Sequence, residues 1–127
     1  ANYFGPAILI RICLPYLQNS DKPSIINVAT MGAVQGSSKF SGLSAYSASK
    51  GALVTLTECL AEELSPLNIR VNALAIGAVE TEMFKKAFPE FTAGTTSEEM
   101  ADFMKWFVEE GSKRFNGKII PVSHTTP

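Results

Sequence analysis

Tyr46 and Lys50 are the two residues of this sequence whose types and spacing best suit proton transfer. Because they are four positions apart, they share one face of any helix that contains both. A lysine ammonium beside a phenol favours the ionised phenolate, which can exchange a proton with a carbonyl or alcohol oxygen. The competing interpretation is an exposed tyrosine beside a solvated lysine, the usual meaning of such a pair. The pair alone therefore does not establish an active site.

The residues around this pair are all small. Ser47, Ala48 and Ser49 lie between the two, and Gly51 and Ala52 follow them. Small side chains let a ligand approach the backbone, and a helix that begins after a Gly/Ser-rich loop suits a site at the strand ends of an open α/β sheet. Small residues equally suit a close crossing of two helices. Both interpretations can hold at once.

The pair requires a helix, and residues 45–64 give the clearest helical pattern of the chain. Ser44 is the expected N-cap, and leucines at positions 53, 56, 60 and 64 form the apolar side. Helical patterns also cover residues 3–17, 81–87 and 97–110, the last with a capping box that starts at Thr96. Short apolar runs predict buried strands at residues 24–29, 69–74 and 118–122.

The predicted long helices and the strands alternate along the chain. Strands that are separated by long helices cannot pair through hairpins, so we expect an α/β fold with a parallel sheet and helices on both faces. Three strands are few for this architecture. The first strand would leave an apolar edge uncovered unless a further segment or a partner lies beside it.

The first helical segment, residues 3–17, is apolar nearly all the way round, which indicates burial on more than one side. Pro6 is acceptable in its first turn, whereas Pro15 should end the helix or kink it. Cys13 lies in this segment and Cys59 in the helix of Tyr46. Neither has metal-ligand spacing and no disulfide framework is expected, so both are interpreted as reduced core thiols of a cytoplasmic protein.

The composition is that of an ordinary globular chain. The 127 residues are 46% hydrophobic and 18% charged, with a net charge of −1. These values exclude a disordered tail, a fibre or a coiled coil, and the balanced charge argues against nucleic acid or an anionic membrane as a partner. No run approaches the roughly 18 apolar residues of a membrane span, and no signal peptide is recognisable. The length suits a single domain.

The sequence resembles the short-chain dehydrogenase/reductase family through motifs that occur in order along the whole chain. Residues 46–50, Tyr-Ser-Ala-Ser-Lys, are similar to the Tyr-x-x-x-Lys of that family's active site. Residues 24–30 resemble the strand before it, whose end carries a hydroxyl residue, and Asn2 matches the structural asparagine of the preceding helix. Residues 72–81 resemble a segment that usually contains Asn-x-x-x-Pro-Gly-x-x-x-Thr, and Asn116-Gly117 fits the turn before the last strand.

This resemblance implies a Rossmann-like doubly wound parallel sheet and an NAD(P)-dependent oxidoreductase of the carbonyl reductase or alcohol dehydrogenase type. Tyr46 would be the general acid or base toward a small carbonyl or alcohol substrate. Lys50 would favour the phenolate of Tyr46. Thr30 would polarise the substrate carbonyl, and Asn2 would hold a water of the proton relay through its main chain and amide.

The resemblance also assigns cofactor contacts. Tyr46 and Lys50 would lie beside the nicotinamide, with Lys50 binding its ribose. Val79 and Thr81 match positions that contact the nicotinamide carboxamide, and Gly77 belongs to the same loop. NAD and NADP are not distinguished, and no metal is implied.

Two departures from the family pattern concern this site. Thr30 stands where the family usually has serine, and its methyl group crowds the site. If the following loop folds back, another hydroxyl could polarise the substrate carbonyl in place of Thr30. The candidates are Ser37, Ser38, Ser41 and Ser44. Ile76 replaces the usual proline before Gly77, which removes a rigid turn and is expected to loosen the nicotinamide loop.

The Gly-rich dinucleotide turn of the family is not found in this sequence, since Gly32 and Gly36 follow the wrong strand and lack a third close glycine. Residues 1–127 are therefore interpreted as the C-terminal half of the fold, without the N-terminal dinucleotide-binding half. Because the family commonly associates through two long helices, a homodimer or homotetramer through residues 3–17 and 45–64 is expected. The alternative is a catalytically inactive truncated half-domain that acts by self- or hetero-association.

Overall fold

The structure is a computed structural model that describes residues 2–124. Long helices and strands alternate in this range, with a short extra helix before the last long one and boundaries within two residues of the predicted ones. In chain order they are α1 (Phe4–Gln18), β1 (Ser24–Thr30), α2 (Ser44–Glu63), β2 (Arg70–Ile76), α3 (Glu82–Ala87), α4 (Ser97–Glu109) and β3 (Ile119–Val122). Short 3-10 turns lie at Met31–Ala33, Ser65–Leu67 and Gly111–Arg114.

The strands form one parallel sheet in the order β1, β2, β3. Their carboxyl ends are level, because Thr30 pairs with Ile76 and Ile76 pairs with Val122. Residues 71–75 of the central strand are all buried, as a strand flanked by two others and covered by helices must be. The prediction of an α/β fold with a parallel sheet is confirmed.

A buried polar link fixes α2 on β1. The Asn27 amide donates to the Thr57 hydroxyl at 2.9 Å, and that hydroxyl donates to the carbonyl oxygen of Leu53 at 2.8 Å. Asn27 and Thr57 are both buried. Since buried polar groups need partners, this pair favours one position of the helix along the strand.

The hydrophobic core joins the two long helices to the sheet. Its buried members come from β1, α2 and β2 and the turn between them, and α1 adds partly buried side chains. They are Ile25, Ala61, Leu64, Ile69 and Val71, with Ile10, Leu14 and Leu17 from α1.

The prediction that Ser44 caps α2 is wrong, and of the two outcomes expected at Pro15 the helix end does not occur. Ser44 is the first residue of α2, and the N-cap is Leu43, which makes no side-chain capping bond. The helix begins one residue early because the Phe40 carbonyl accepts the Leu43 N–H, closing a turn directly before it. Pro15 does not end α1, which continues to Gln18. Its ring removes the one backbone hydrogen bond that the Arg11 carbonyl oxygen would accept from position 15, close to the end of the helix.

Helix α1 packs against the core on one side only within the described residues, and none of its residues is fully buried. Its exposed large apolar residues form a broad surface: Tyr3 just before the helix, then Phe4, Ile8, Leu9, Ile12 and Tyr16. Cys13 is half-buried and Cys59 is exposed, and both are free thiols. The prediction of a core thiol is therefore wrong for Cys59, which lies on the outward side of α2. No helix of the described range is long and apolar enough to cross a membrane.

The outer edge of β1 is unpaired among the described residues, as expected. A groove of about 730 Å³ runs along this edge between β1 and α1, and Leu9, Cys13 and Ile26 contribute to its walls. Ser24 lies in the same groove, and its hydroxyl oxygen is buried without a hydrogen-bond partner in the described part of the chain. An unpaired strand edge beside apolar walls is suited to receive a further strand.

Candidate active site

The first turns of α2 place Lys50 against the carboxyl end of β1. The Lys50 ammonium donates to the carbonyl oxygen of Val28 at 2.9 Å, two residues before β1 ends. Tyr46 lies one helical turn earlier and is 36% exposed. The structure therefore brings the predicted pair to the strand ends, where ligands of open α/β sheets bind.

The environment of Lys50 is partly dry. Burial lowers the pKa of its ammonium below the usual 10.5, because the charged form loses hydration there. An ammonium has three donors, and the bond to Val28 uses one of them. Two donors therefore remain for a bound ligand or for water.

Thr30 is held close to the same helix through Gly32. The Thr30 hydroxyl oxygen accepts the backbone N–H of Gly32 at 3.4 Å. A Cβ on Gly32 would lie 3.1 Å from the Ser47 hydroxyl oxygen and 3.8 Å from the Thr30 methyl carbon. A side chain at Gly32 would crowd the Ser47 hydroxyl, so glycine suits this close approach of the turn to α2. The hydroxyl of Thr30 can still donate its own proton.

The serines proposed as substitutes for Thr30 are placed differently. The Ser37 hydroxyl donates within its own loop, to the carbonyl oxygens of Met31 and Val34. Ser38, Ser41 and Ser44 are exposed. Thr30 is thus the hydroxyl residue that the structure places at the end of β1.

Asn2 contacts the segment that carries the pair. Its amide donates to the Ser49 hydroxyl at 3.1 Å, and this hydroxyl donates to the Tyr46 carbonyl oxygen at 2.9 Å. Asn2 therefore anchors the chain before α1 to the first turns of α2. Ser49 is a contributor that the sequence did not single out, although it lies between Tyr46 and Lys50.

The loop after β2 lies at the same end of the sheet. The Gly77 N–H donates to the Val122 carbonyl oxygen at 3.0 Å, which extends the sheet by one bond. Val79 is buried, and the Thr81 hydroxyl oxygen accepts the N–H of Phe84 at 3.1 Å, capping α3. Ile76 pairs with β1 on one side and with β3 on the other. These pairs hold the start of the loop at the position where the family's proline would have made it rigid.

Two asparagines of the motifs have structural partners. The Asn72 amide donates to the Phe115 carbonyl oxygen at 3.0 Å, and its oxygen accepts the Lys118 N–H at 3.0 Å. The Asn116 side-chain oxygen accepts the Val71 N–H at 3.0 Å. These contacts hold the turn before β3 against β2.

In the described residues, no three His, Cys, Asp or Glu side chains cluster as metal ligands would.

The chain was compared with protein families and with curated relatives. The family model described as short chain dehydrogenase matches residues 1–91. Dehydrogenase/reductase SDR family member 4 of Mus musculus is 30% identical over 138 aligned residues, which cover 99% of this chain and 48% of the mouse protein. The chain spans about half the length of the curated relatives it matches.

Solved structures of other proteins share the fold of this chain. A protein of Escherichia coli CFT073 complexed with NADPH has 27% identity and a TM-score of 0.81, covering 94% of this chain and 49% of that one. The 3-ketoacyl-(acyl-carrier-protein) reductase of Brucella melitensis complexed with NADH has 26% identity and a TM-score of 0.76, covering 95% and 52%. The Rossmann-like parallel sheet is thus confirmed, and this chain belongs to the short-chain dehydrogenase family.

Proposed function

We propose that this chain carries the proton-transfer half of an NAD(P)-dependent oxidoreductase that interconverts small carbonyl compounds and alcohols. The observation that carries this proposal is the Lys50 ammonium held 2.9 Å from the Val28 carbonyl, one helical turn from an exposed Tyr46. An anchored cation beside an accessible phenol is the arrangement that general acid–base catalysis needs.

Tyr46 is assigned the proton transfer itself. Its hydroxyl donates a proton to the substrate oxygen in the direction of reduction and removes it from the alcohol in reverse. Lys50 is assigned a supporting positive charge one helical turn from Tyr46, on the same side of α2. Since Tyr46 is 36% exposed, a substrate oxygen can reach its hydroxyl.

Thr30 and Asn2 are assigned supporting roles. The Thr30 hydroxyl accepts the Gly32 N–H, so its own proton is available for the substrate carbonyl oxygen. Asn2 is tied to α2 through Ser49, which supports its placement close to the pair. One N–H of its amide is used in this contact, so we assign its main chain and the remaining amide groups to the water of the relay.

The loop residues fit the nicotinamide end of NAD or NADP. Lys50 keeps two donors that suit ribose hydroxyls, and the Thr81 hydroxyl keeps its proton for a carboxamide. Gly77 and Val79 lie in the same loop at the level carboxyl ends of the strands. A bound nicotinamide would supply or accept the hydride. None of these residues discriminates the 2′-phosphate of NADP, so both cofactors stay candidates.

The exposed surface of α1 supports a further part of the proposal. Phe4, Leu9, Ile12 and Tyr16 are each more than 60% exposed, and a contiguous apolar surface of this kind marks an association site. We assign it, with α2, to a homodimer or homotetramer. The same surface favours the second candidate, a half-domain without catalysis that acts by association alone.

Cofactor binding separates the two candidates. The natural protein that carries this sequence is titrated with NADH and with NADPH, and its mass is measured alongside. The oxidoreductase proposal expects saturable binding of at least one of them and a mass well above 13.7 kDa. A natural protein of 13.7 kDa that binds neither would leave association as its function.

A further inference from the structure

Glu80 lies between Val79 and Thr81 and contacts one distant segment of the chain at several points. Its N–H donates to the Thr95 carbonyl oxygen at 2.9 Å, and its own carbonyl oxygen accepts the Ser97 hydroxyl at 2.8 Å. Glu80 and Thr96 form an isolated parallel bridge. Both backbone groups of Glu80 are therefore held from the same side.

The Glu80 side chain reinforces this contact. Its Oε2 accepts the backbone N–H of Ala93 at 2.9 Å, which is a charge-assisted bond to a residue 13 positions away. The second oxygen lies 3.8 Å from the Lys85 ammonium, whose side chain is 65% exposed. An ion pair that is so exposed to water contributes little to stability. The hydrogen bond from the Ala93 N–H is therefore the main contact of the Glu80 side chain.

The segment that holds Glu80 is itself fixed by α4. The Thr96 hydroxyl oxygen accepts the Glu99 N–H at 3.1 Å, and the Glu99 carboxylate accepts the Thr96 N–H at 3.0 Å. This capping box makes the first turn of α4 a firm support. Glu80 joins the loop after β2 to that support.

We infer that Glu80 is a positioning residue that fixes the loop of Val79 and Thr81 against the start of α4, and so sets the affinity for the nicotinamide cofactor. This inference rests on the proposed function, because it takes those two residues as cofactor contacts. Glu80 does not touch the reacting atoms. Its N–H and carbonyl groups fix the backbone next to Val79 and Thr81. Its side chain joins the two ends of segment 81–92 through the Ala93 N–H.

The test compares Glu80→Ala and Glu80→Gln in the natural protein, with Glu90→Ala as the matched control. Glu90 is an exposed carboxylate of the same segment and has no partner among the described residues. Glutamine keeps an acceptor for the Ala93 N–H, whereas alanine removes it. Ser97→Ala is a milder variant that removes one backbone support, in case Glu80→Ala folds poorly.

Two readouts are taken besides activity. The first is the Kd for NADH and NADPH from fluorescence titration, and the second is the rate of tryptic cleavage after Lys85 and Lys86. We expect Glu80→Ala to raise the Kd about tenfold and Ser97→Ala about threefold, as expected for lost hydrogen bonds of these kinds. Both should speed cleavage. Glu80→Gln should stay within about threefold, Glu90→Ala should match wild type, and kcat at saturating cofactor should change less than the Kd.

The outcomes are distinguishable. Wild-type affinity in both Glu80→Ala and Ser97→Ala would overturn the positioning role even if cleavage becomes faster, because the loop would then be loosened without consequence for the cofactor. An equal loss in Glu90→Ala would overturn it as well. A wild-type protein that binds neither cofactor would remove the proposed function, and this inference with it.

Discussion

The Lys50 ammonium donates a hydrogen bond to the Val28 carbonyl oxygen at 2.9 Å, across 22 positions of sequence. This contact joins α2 to β1 at the end of the sheet where Thr30 and Gly77 also lie. It costs some hydration of the ammonium, since burial lowers the pKa of Lys50. Lys50 has no acidic partner among the described residues, and a charge kept at such a position favours a purpose other than stability.

Lys50→Met should remove activity without reducing stability. The partly desolvated charge disappears together with its bond to the carbonyl oxygen of Val28, a residue that is 39% exposed. We expect the free energy of unfolding at pH 7 to be at or above the wild-type value, or lower by less than about 1 kcal/mol. Urea denaturation measures it. A loss of several kcal/mol would show that Lys50 is chiefly structural.

The pH dependence of stability gives a second check on Lys50. Its pKa in the folded protein lies below 10.5, so between these two values the unfolded chain binds more protons than the folded protein. The free energy of unfolding of wild type should therefore rise relative to Lys50→Met as the pH increases through this window. At pH values below this window, the buried ammonium is charged and its loss of hydration lowers the free energy of unfolding of wild type by the full amount. Parallel pH profiles for the two proteins would contradict the assignment.

Gly32→Ala should disturb the site more than the fold. The new Cβ would lie 3.1 Å from the Ser47 hydroxyl oxygen, so the turn that carries Thr30 or the Ser47 side chain must shift by a few tenths of an ångström. We expect a lower kcat/KM that Ser47→Ala partly restores in the double variant, because it removes the crowding atom. Gly5→Ala is the control, since no atom lies within 4 Å of its added carbon. Failure of Ser47→Ala to restore activity would count against this explanation.

Thr57→Val should destabilise the protein through a buried amide. The valine leaves the Asn27 amide without its 2.9 Å partner in the core. The expected loss is about 1–3 kcal/mol in the free energy of unfolding, measured in urea. Thr55→Val, an exposed threonine of the same helix, should change it by less than about 0.5 kcal/mol. Similar values for both variants would mean that the link does not hold α2 in place.

Local patterns predicted most of the fold. The capping box of Thr96 and Glu99 joins residues three apart, and the structure confirms it. The alternation of helices and strands was sufficient for the parallel sheet. Ser44 was assigned wrongly as a cap because the turn made by Phe40 and Leu43, which starts α2 one residue earlier, has no distinctive sequence pattern.

The sequence predicted only those residues of the candidate site that belong to a recognisable motif. Tyr46, Lys50 and Thr30 were found because their types and spacing resemble a family pattern. Glu80 was missed, because its partners lie 13 to 17 positions away and depend on how α4 returns to the sheet. Asn72 and Asn116 belong to recognised motifs, yet only the structure shows that their amides hold the turn before β3.

The most direct test of the account is Tyr46→Phe in the natural protein, measured as carbonyl-dependent oxidation of NADH or NADPH. Tyr16→Phe is the matched control, because Tyr16 is 77% exposed on α1. We expect Tyr46→Phe to lower kcat by about 10²-fold or more, with unchanged circular dichroism, while Tyr16→Phe keeps the wild-type rate. A Tyr46→Phe protein that retains the wild-type rate would show that Tyr46 does not transfer the proton.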